Sequence, residues 1–305
     1  MNWNPHRLPD LTGHVYAITG ASGGIGYFAA EQLAAAGAEV VLASRSAEKL
    51  AQASAVIREL APDAITHHVR VDLTSLSSIT DAAAQIAARP RLDGIFLNGG
   101  PMQFSRKART EDGLPLIVGA HAVANVALVA GVLPSVIATG QSTRIVHAST
   151  GFVHQFPTSV ADLDATPRTG LGAYITAKTI TEVFAFELDR RIRRAGLPLA
   201  SIVTRPGVGV DAKTPHRTGI RDKTVPYRRN PFTPWAQGKD AAAWSGVRAL
   251  ADPHAQSGEY YAPVGGVRGA PVRIEPDPRT AAPPQDSAAE LWRRVTEMAG
   301  AELPL

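Results

Sequence analysis

A glycine-rich string between an apolar segment and an alanine-rich segment constrains the fold of this chain most strongly. The string runs from Thr19 to Gly26 (TGASGGIG), after the apolar run Val15 to Thr19 and at the start of the helical pattern Gly24 to Ala36. Glycine permits a tight turn and lets a phosphate group approach the backbone closely. The first N–H groups of a helix and its positive dipole end favour an anion at the same place. This context predicts a nucleotide site whose phosphate contacts are Gly20, Ser22, Gly24, Ile25 and Gly26.

Strand and helix patterns alternate after this turn. The predicted strands are Val15–Thr19, Glu39–Ala43, Thr66–Val71, Gly94–Leu97, Arg144–Ala148 and Leu199–Thr204. The predicted helices are Gly24–Ala36, Ala47–Leu60, Leu76–Ala88, Leu114–Ala138 and Ala173–Ala195. Such alternation favours βαβ units, and right-handed crossovers then place helices on both faces of a parallel sheet. We therefore predict one α/β domain over residues 1–305 with a doubly wound parallel sheet.

The segments after the sixth strand have a different composition. Residues 208–234 are rich in Pro, Arg, Lys, Thr and Gly, and we predict that they form a substrate lid. A helix at Asp240–Leu250 and a strand at Glu259–Pro263 are expected next. The stretch Pro271–Pro284 holds five prolines and is predicted to be an extended arm. A closing helix at Ala288–Met298 completes residues 271–305.

Composition limits the chemistry and the partners. Cysteine is absent, which excludes disulfides, thiolate catalysis and Cys-based zinc sites and fits a reducing, cytoplasmic compartment. The histidines show no metal-ligand spacing, so no metal site is expected. The net charge of +4 suits an anionic small molecule better than a nucleic acid. No secretory signal pattern is seen at the N-terminus, and we expect a cytoplasmic protein without a nucleic-acid or membrane partner.

A run without charged residues lies between Asp112 and Arg144. Its length would allow it to cross a bilayer. Glycine, proline, His121 and Asn125 interrupt it, and these residues are costly or disruptive in lipid. We therefore predict a helix that is buried against the sheet.

The end of the second strand bears on the choice of cofactor. An acidic residue at this position binds the ribose 2′-hydroxyl of NAD. This chain has Ser44-Arg45 instead, and a guanidinium can pair with a 2′-phosphate. The position favours NADP(H).

Tyr174 and Lys178 are spaced to lie on one face of a helix. A phenol is a weak base at neutral pH, and a neighbouring ammonium should lower its pKa. Tyr174 could then give a proton to a carbonyl oxygen or take one from an alcohol as a hydride moves. A hydroxyl at Thr150 or Ser149, just after the fifth strand, could hold the same oxygen.

Together these motifs resemble the short-chain dehydrogenase/reductase family, from about Leu11 to about Tyr261. The matching segments are Thr19-Gly20-x-x-x-Gly24-Ile25-Gly26, Asp72-Leu73, Asn98-Gly99-Gly100, Arg144-Ile145-Val146, the Tyr174/Lys178 pair and Pro206-Gly207. The chain looks most like the bacterial relatives of retinol dehydrogenases. The resemblance implies a Rossmann-like fold, a nicotinamide cofactor contacted by these segments, hydride transfer, and Lys178 on the nicotinamide ribose. It also implies a homodimer or homotetramer.

Two positions depart from the family pattern. The catalytic serine of the family corresponds to Thr150, and Ser149, one residue earlier, should face the other side of the strand, so Thr150 is the stronger candidate. The family asparagine on the long helix corresponds to His121, with Asn125 one turn further on. His121 is either a satisfied buried histidine or a functional group that replaces the asparagine as a relay or contacts the substrate.

Three functions fit these observations. The first is an NADP(H)-dependent carbonyl reductase or alcohol dehydrogenase acting on a small molecule. The second is a cyclase, dehydratase or isomerase of the same fold, with altered chemistry around His121. The third is a non-catalytic NADP-binding sensor, which the Tyr174/Lys178 pair disfavours.

Overall fold

The apolar runs predicted as strands form the central sheet of the computed structural model, which describes residues 3–101, 107–158, 169–221, 231 and 233–305. Eight strands lie in the order β3-β2-β1-β4-β5-β6-β7-β8, and all neighbours are parallel except β7 and β8. Their bounds are β1 Val15–Thr19, β2 Glu39–Ser44, β3 Thr66–Arg70, β4 Gly94–Leu97, β5 Thr143–Ala148, β6 Leu199–Thr204, β7 Tyr260–Pro263 and β8 Pro271–Ile274. The predicted doubly wound α/β sheet is confirmed.

Helices cover both faces of this sheet. They are α1 Gly24–Ala35, α2 Ala47–Leu60, α3 Leu76–Ala87, α4 Leu116–Val118, α5 Ala124–Thr139, α6 Phe152–Gln155, α7 Gly170–Arg194, α8 Lys239–Ala251, α9 Pro278–Ala281 and α10 Gln285–Met298. Buried side chains of α1, α2 and α8 form a core on one face of the sheet. Those of α3, α5, α7 and α10 form a core on the other face. The central strands are buried on both faces, which explains their continuous apolar sequence.

The uncharged run forms one helix from Leu116 to Thr139, interrupted by a π-helical turn at Gly119–Val123. Within the described parts of the chain it is the one helix that is long and apolar enough to cross a membrane, and 83% of its apolar window is buried inside the fold. It packs against α3, α7 and α10. The helix thus contributes to the core of the domain, as the polar interruptions predict.

The predicted extended arm is wrong for most of its length. Residues 271–274 form the edge strand β8, antiparallel to β7, and α9 follows. Proline is compatible with both elements, because Pro271 begins an edge strand and Pro278 occupies the first turn of α9. Asp277 caps α9 by accepting a hydrogen bond from the Arg279 N–H.

Two helices begin earlier than predicted. The closing helix α10 begins at Gln285, directly after Pro284, rather than at Ala288. The helix that carries Tyr174 begins at Gly170, because the Thr169 hydroxyl accepts a hydrogen bond from the backbone N–H of Gly172.

Candidate active site

The turn between β1 and α1 leaves room for a phosphate group against the backbone. Gly20 has a φ of +71°, a left-handed conformation that favours glycine. A Cβ at Gly26 would lie 2.5 Å from the Gly20 carbonyl oxygen, so the close approach of helix and turn requires glycine. Gly23 precedes α1 and supplies no side-chain cap, which leaves the first N–H groups of the helix available to an anion. These features fit a dinucleotide pyrophosphate.

Hydrogen bonds join the carboxyl ends of β1 and β4 behind this turn. The Thr19 hydroxyl accepts from the N–H groups of Asn98 and Gly99 at 3.0 and 2.9 Å. The Asn98 amide donates in turn to the Thr19 carbonyl at 3.2 Å. The chain order reverses between these two strands, and α/β sheets bind their ligands at such a point.

A cleft of about 490 Å³ continues from the turn along the carboxyl edge of the sheet. It is lined by Gly20, Ser44, Arg45, Val71, Asp72, Leu73, Thr74, Gly99, Gly100 and Pro101. Seven of these residues were predicted as cofactor contacts, and the structure brings them together. The other predicted contacts of the turn, Ser22, Gly24, Ile25 and Gly26, lie next to the cleft, and the Ser22 hydroxyl is 2.7 Å from that of Ser44.

Charge inside the cleft is distributed unequally. The Asp72 carboxylate accepts hydrogen bonds from the backbone N–H and the hydroxyl of Thr74, at 2.9 and 2.7 Å. Arg45 is exposed and makes no ion pair with any described residue. The end of β2 therefore offers a guanidinium and no carboxylate.

Tyr174, Lys178 and Thr150 meet at the other end of this edge. Thr150 follows β5, and its hydroxyl is hydrogen-bonded to that of Tyr174. The buried Lys178 ammonium donates to the Ala148 carbonyl at 2.6 Å and lies 5.8 Å from the centre of the Tyr174 ring. The three predicted groups thus form one cluster.

Burial sets the protonation of this cluster. It lowers the pKa of Lys178 to about 8, an effect that the neighbouring Glu182 opposes. It raises the pKa of Tyr174, which the hydrogen bond from Thr150 partly offsets. The expected net lowering of the Tyr174 pKa is therefore wrong, because desolvation of the phenol outweighs the other effects. A protonated Tyr174 at neutral pH is suited to donate a proton.

Ser149 does not join this cluster. Its side chain is buried and donates a 2.5 Å hydrogen bond to Glu182, one helical turn after Lys178. Successive residues at a strand end face opposite sides, which separates it from Thr150. The structure therefore places Ser149 outside the cluster of Thr150, Tyr174 and Lys178, and a catalytic role for it stays a prediction.

His121 lies in the π-helical turn beside Tyr174. The two rings meet edge to face at 5.5 Å, and His121 Nε2 donates to the Pro101 carbonyl at 2.9 Å. Burial, with a smaller effect from Lys178, lowers the pKa of His121 to about 3, so the ring is neutral. The His121 carbonyl accepts from the Asn125 amide at 2.8 Å. Nε2 of His121 is thus hydrogen-bonded, whereas Nδ1 is buried without a partner among the described residues, and a relay role stays a prediction.

The Pro206–Gly207 loop and the start of the predicted lid follow β6. The Gln237 side-chain amide donates a hydrogen bond to the Pro206 carbonyl at 2.8 Å. Gly207 has a φ of +69°. In the lid, Arg217 forms a two-pronged ion pair with Glu31 of α1 at 2.7 and 2.8 Å. That part of the lid thus packs against α1. Lys213 and Arg221 are also among the described residues, whereas the basic residues at positions 223, 228 and 229 lie outside them.

The structure also contains a functional candidate that sequence reasoning missed. Glu182 is fully buried behind Lys178 and accepts hydrogen bonds from three hydroxyl groups. The sequence marks Glu182 only as a carboxylate one turn after the lysine, and this pattern alone does not single it out. No group of three or more His, Asp or Glu side chains that could hold a metal is found where the structure describes the chain.

The sequence profile of the short chain dehydrogenase family matches residues 14–208, so the chain belongs to this family. The chain is 29% identical to the short chain dehydrogenase/reductase dpchH of Colletotrichum higginsianum, over 68% of this chain and 57% of that protein. It is 27% identical to polyprenol dehydrogenase of Mus musculus, over 98% of this chain and 88% of the mouse protein. It is 27% identical to human retinol dehydrogenase 13, over 96% and 87%. The resemblance to relatives of retinol dehydrogenases is confirmed.

Solved structures show the same fold. An uncharacterized protein from Mycobacterium paratuberculosis aligns over 100% of both chains with a TM-score of 0.77 and 23% identity. L-sorbose reductase of Gluconobacter frateurii aligns over 86% of this chain and 98% of its own, with a TM-score of 0.65 and 19% identity. At this level of identity the similarity establishes the architecture only.

Proposed function

We propose that this chain is an NADP(H)-dependent oxidoreductase that acts on a carbonyl or alcohol group of a small molecule. The observation that carries the proposal is the cluster of Thr150, Tyr174 and Lys178 at the same sheet edge as the phosphate turn. A binding protein has no evident need for a phenol paired with a hydroxyl and backed by a buried ammonium.

The side chains of the cluster have separable tasks. Bound in the cleft, a nicotinamide dinucleotide would supply or accept the hydride. Tyr174 donates its proton to the carbonyl oxygen during reduction and takes it back during oxidation. The Thr150 hydroxyl holds the same oxygen, because it already lies at the Tyr174 hydroxyl. Lys178 places a positive charge beside the phenol, favouring the negative charge that develops there.

The preference for NADP(H) rests on Arg45. The guanidinium lines the cleft at the end of β2, is not neutralised by a described carboxylate, and can pair with a 2′-phosphate. Among structural relatives, the sorbose reductase was solved with NADPH, as was a short-chain dehydrogenase from Sphingobium yanoikuyae. These relatives support the proposal by analogy of fold.

Arg45→Asp tests the cofactor preference. We expect NADPH affinity to fall about 100-fold or more, since an attractive charge becomes a repulsive one, while NADH affinity changes little. Arg7→Asp, an exposed arginine outside the cleft, controls for the change in net charge. Dissociation constants from titration calorimetry provide the measurement. Equal losses for both cofactors would contradict the assignment.

The Thr150 hydroxyl offers a test of the chemistry. Thr150→Ser keeps the hydroxyl, and we expect it to retain turnover of the best substrate in a panel of ketones, aldehydes and quinones. Thr150→Val keeps the shape without the hydroxyl, and kcat should fall about 100-fold. Equal kcat for the two variants would remove Thr150 from the mechanism.

We also propose a cytoplasmic location and a homo-oligomeric assembly for this enzyme. The absence of cysteine fits a cytoplasmic enzyme, and the burial of the long apolar helix is consistent with it. The small-molecule substrate and the homodimer or homotetramer remain predictions. Light scattering coupled to size exclusion measures the assembly directly.

A further inference from the structure

A buried carboxylate lies directly behind the proposed catalytic lysine. Glu182 follows Lys178 by one turn of α7 and has no exposed surface. Two hydroxyl groups donate to its Oε1, Ser149 at 2.5 Å and Tyr260 at 2.8 Å. The Thr280 hydroxyl donates to Oε2 at 2.9 Å. The donors come from the end of β5, from β7 and from α9, so three elements distant in sequence converge on one carboxyl group.

Burial raises the pKa of Glu182, and the hydrogen bonds from Ser149, Tyr260 and Thr280 act in the opposite direction and favour the ionised carboxylate. A buried charge is tolerated when hydrogen bonds and an opposite charge compensate its loss of water. Three O–H groups provide the hydrogen bonds, and the buried Lys178 one turn away is the opposite charge. Lys178 itself donates to the neutral Ala148 carbonyl. Lys178 therefore forms no hydrogen bond to a carboxylate among the described residues. The negative charge of Glu182 stabilises its positive charge electrostatically, without direct contact.

Other charged or titratable groups around the carboxylate do not replace this pairing. Asp277, which is buried next to Thr280, pairs with the exposed Arg279. Arg205, beyond β6, acts on the Tyr260 hydroxyl and is partly exposed. His147 on β5 is fully buried, and burial together with Lys178 lowers its pKa to about 3, so it is neutral.

We propose that Glu182 is a positioning residue that keeps Lys178 protonated and fixes the end of β5. The strand end carries both the Ala148 carbonyl, which accepts from Lys178, and Thr150, which contacts Tyr174. The hydrogen bond from Ser149 ties this strand end to α7. The inference rests on the proposed function in that Lys178, Thr150 and Tyr174 are the working groups.

The sign of the electrostatic effect follows from the two opposing causes. Burial lowers the pKa of Lys178 to about 8, and the negative charge of Glu182 acts in the opposite direction. Without that charge the pKa of Lys178 falls further, so the ammonium is lost at a lower pH. Turnover that needs the ammonium then declines at a lower pH as well.

Glu182→Gln isolates the charge. Its amide oxygen can still accept from Ser149 and Tyr260, and Thr280 can donate to the Asp277 carbonyl, which it already contacts at 3.1 Å. The chain has six lysines, so a titration of ε-¹³C-labelled lysine by NMR can follow Lys178 individually, with Lys178→Arg used to assign its signal. We expect the Lys178 pKa to fall by about one unit or more in Glu182→Gln.

Glu187→Gln is the matched control on the same helix. Glu187 pairs with Arg190 and Arg191, so this variant removes an equal charge away from the lysine and should leave its pKa unchanged. A Lys178 titration in Glu182→Gln that matches the wild type would overturn the proposal. So would an equal shift in Glu187→Gln.

A kinetic readout and two milder variants complete the test. The high-pH decline of kcat should move to lower pH in Glu182→Gln, whereas a purely structural role would lower kcat equally at every pH. If Glu182→Gln does not fold, Tyr260→Phe and Thr280→Val each remove a hydrogen bond that lowers the pKa of Glu182, so the carboxyl group carries less negative charge. The Lys178 pKa should then fall by a smaller amount, and unchanged titrations in both variants overturn the proposal. The NMR titration needs no substrate, so it is independent of whether the proposed reaction occurs.

Discussion

Gly100 and His121 share a space at the end of β4 that has no room for another methyl group. A Cβ built on Gly100 would overlap the His121 imidazole. The His121 ring is fixed in place, because Nε2 donates a hydrogen bond to the Pro101 carbonyl and the ring packs edge to face against Tyr174. Gly100 and His121 together therefore determine the shape of the cleft wall at the end of β4.

Gly100→Ala should consequently destabilise the protein by about 1–3 kcal/mol and weaken NADPH binding, since the overlap forces the cleft wall to shift. Combined with His121→Ala, the same change should cost much less, because the alanine methyl then occupies vacated space. Urea unfolding and NADPH titration of wild type, both single variants and the double variant form a double-mutant cycle that measures this coupling. Strictly additive effects would show that the two side chains do not compete for space.

Individual site residues differ in how far the sequence predicts them. Tyr174 and Lys178 are predictable because a helix brings positions i and i+4 together without any tertiary information. Thr150 could be preferred over Ser149 because strand neighbours alternate. Glu182 could not be recognised, since its environment is created by Ser149, Tyr260 and Thr280, which only the folded sheet brings together. The direction of the Tyr174 pKa also depends on burial, which sequence does not give.

At the scale of the elements, one aromatic side chain, Trp292, packs α10 against α7. Trp292 stacks on Phe184 of α7 with ring centres 4.9 Å apart and planes at 15°. The Arg191 guanidinium, also on α7, lies 4.2 Å from the centre of the Trp292 ring. The aromatic pair and the cation fix the C-terminal helix against the helix that carries the cluster.

Trp292→Ala should lower the free energy of unfolding by about 3–5 kcal/mol, as expected for a large aromatic side chain removed from a core. Trp235→Ala is the control, because that ring is 61% exposed, and it should cost about 0.5 kcal/mol or less. Urea denaturation followed by circular dichroism gives both values. Similar losses for the two variants would mean that α10 contributes little to stability.

Elements with a clear periodicity were predictable, and those that depend on partners were not. Alternating apolar strands and helices of sufficient length define the sheet from β1 to β6. The strand β8 has only four residues, and its identity comes from pairing with β7 rather than from its own pattern. Prolines at 271 and 278 suggest an irregular arm by composition, yet each occupies a position that regular structure tolerates.

At the scale of the whole molecule, buried neutral histidines make stability depend on pH. Burial lowers the pKa of both His121 and His147 to about 3, whereas an unfolded histidine titrates near ~6.5. Between these two pKa values the unfolded chain therefore binds more protons than the folded protein. Stability is fully present above the unfolded pKa and is lost as the pH falls below about 6.5.

Between pH 7.5 and 5.5 the two histidines should together lower the free energy of unfolding by about 2–3 kcal/mol. In His121→Asn, which keeps a polar side chain without a titrating ring, the loss over this range should be about half as large. Urea unfolding at a series of pH values measures it. An identical pH dependence in the variant would show that His121 does not contribute.

The proposed function requires that Tyr174 transfers a proton while NADPH is oxidised. NADPH oxidation by wild type and Tyr174→Phe on the best substrate of the carbonyl panel, with NADPH affinity measured for both, tests this requirement. We predict turnover by wild type, a fall of at least about 100-fold in the variant, and unchanged NADPH affinity, since only the proton donor is lost. Equal turnover by both proteins, or tight NADPH binding without turnover by wild type, would contradict it.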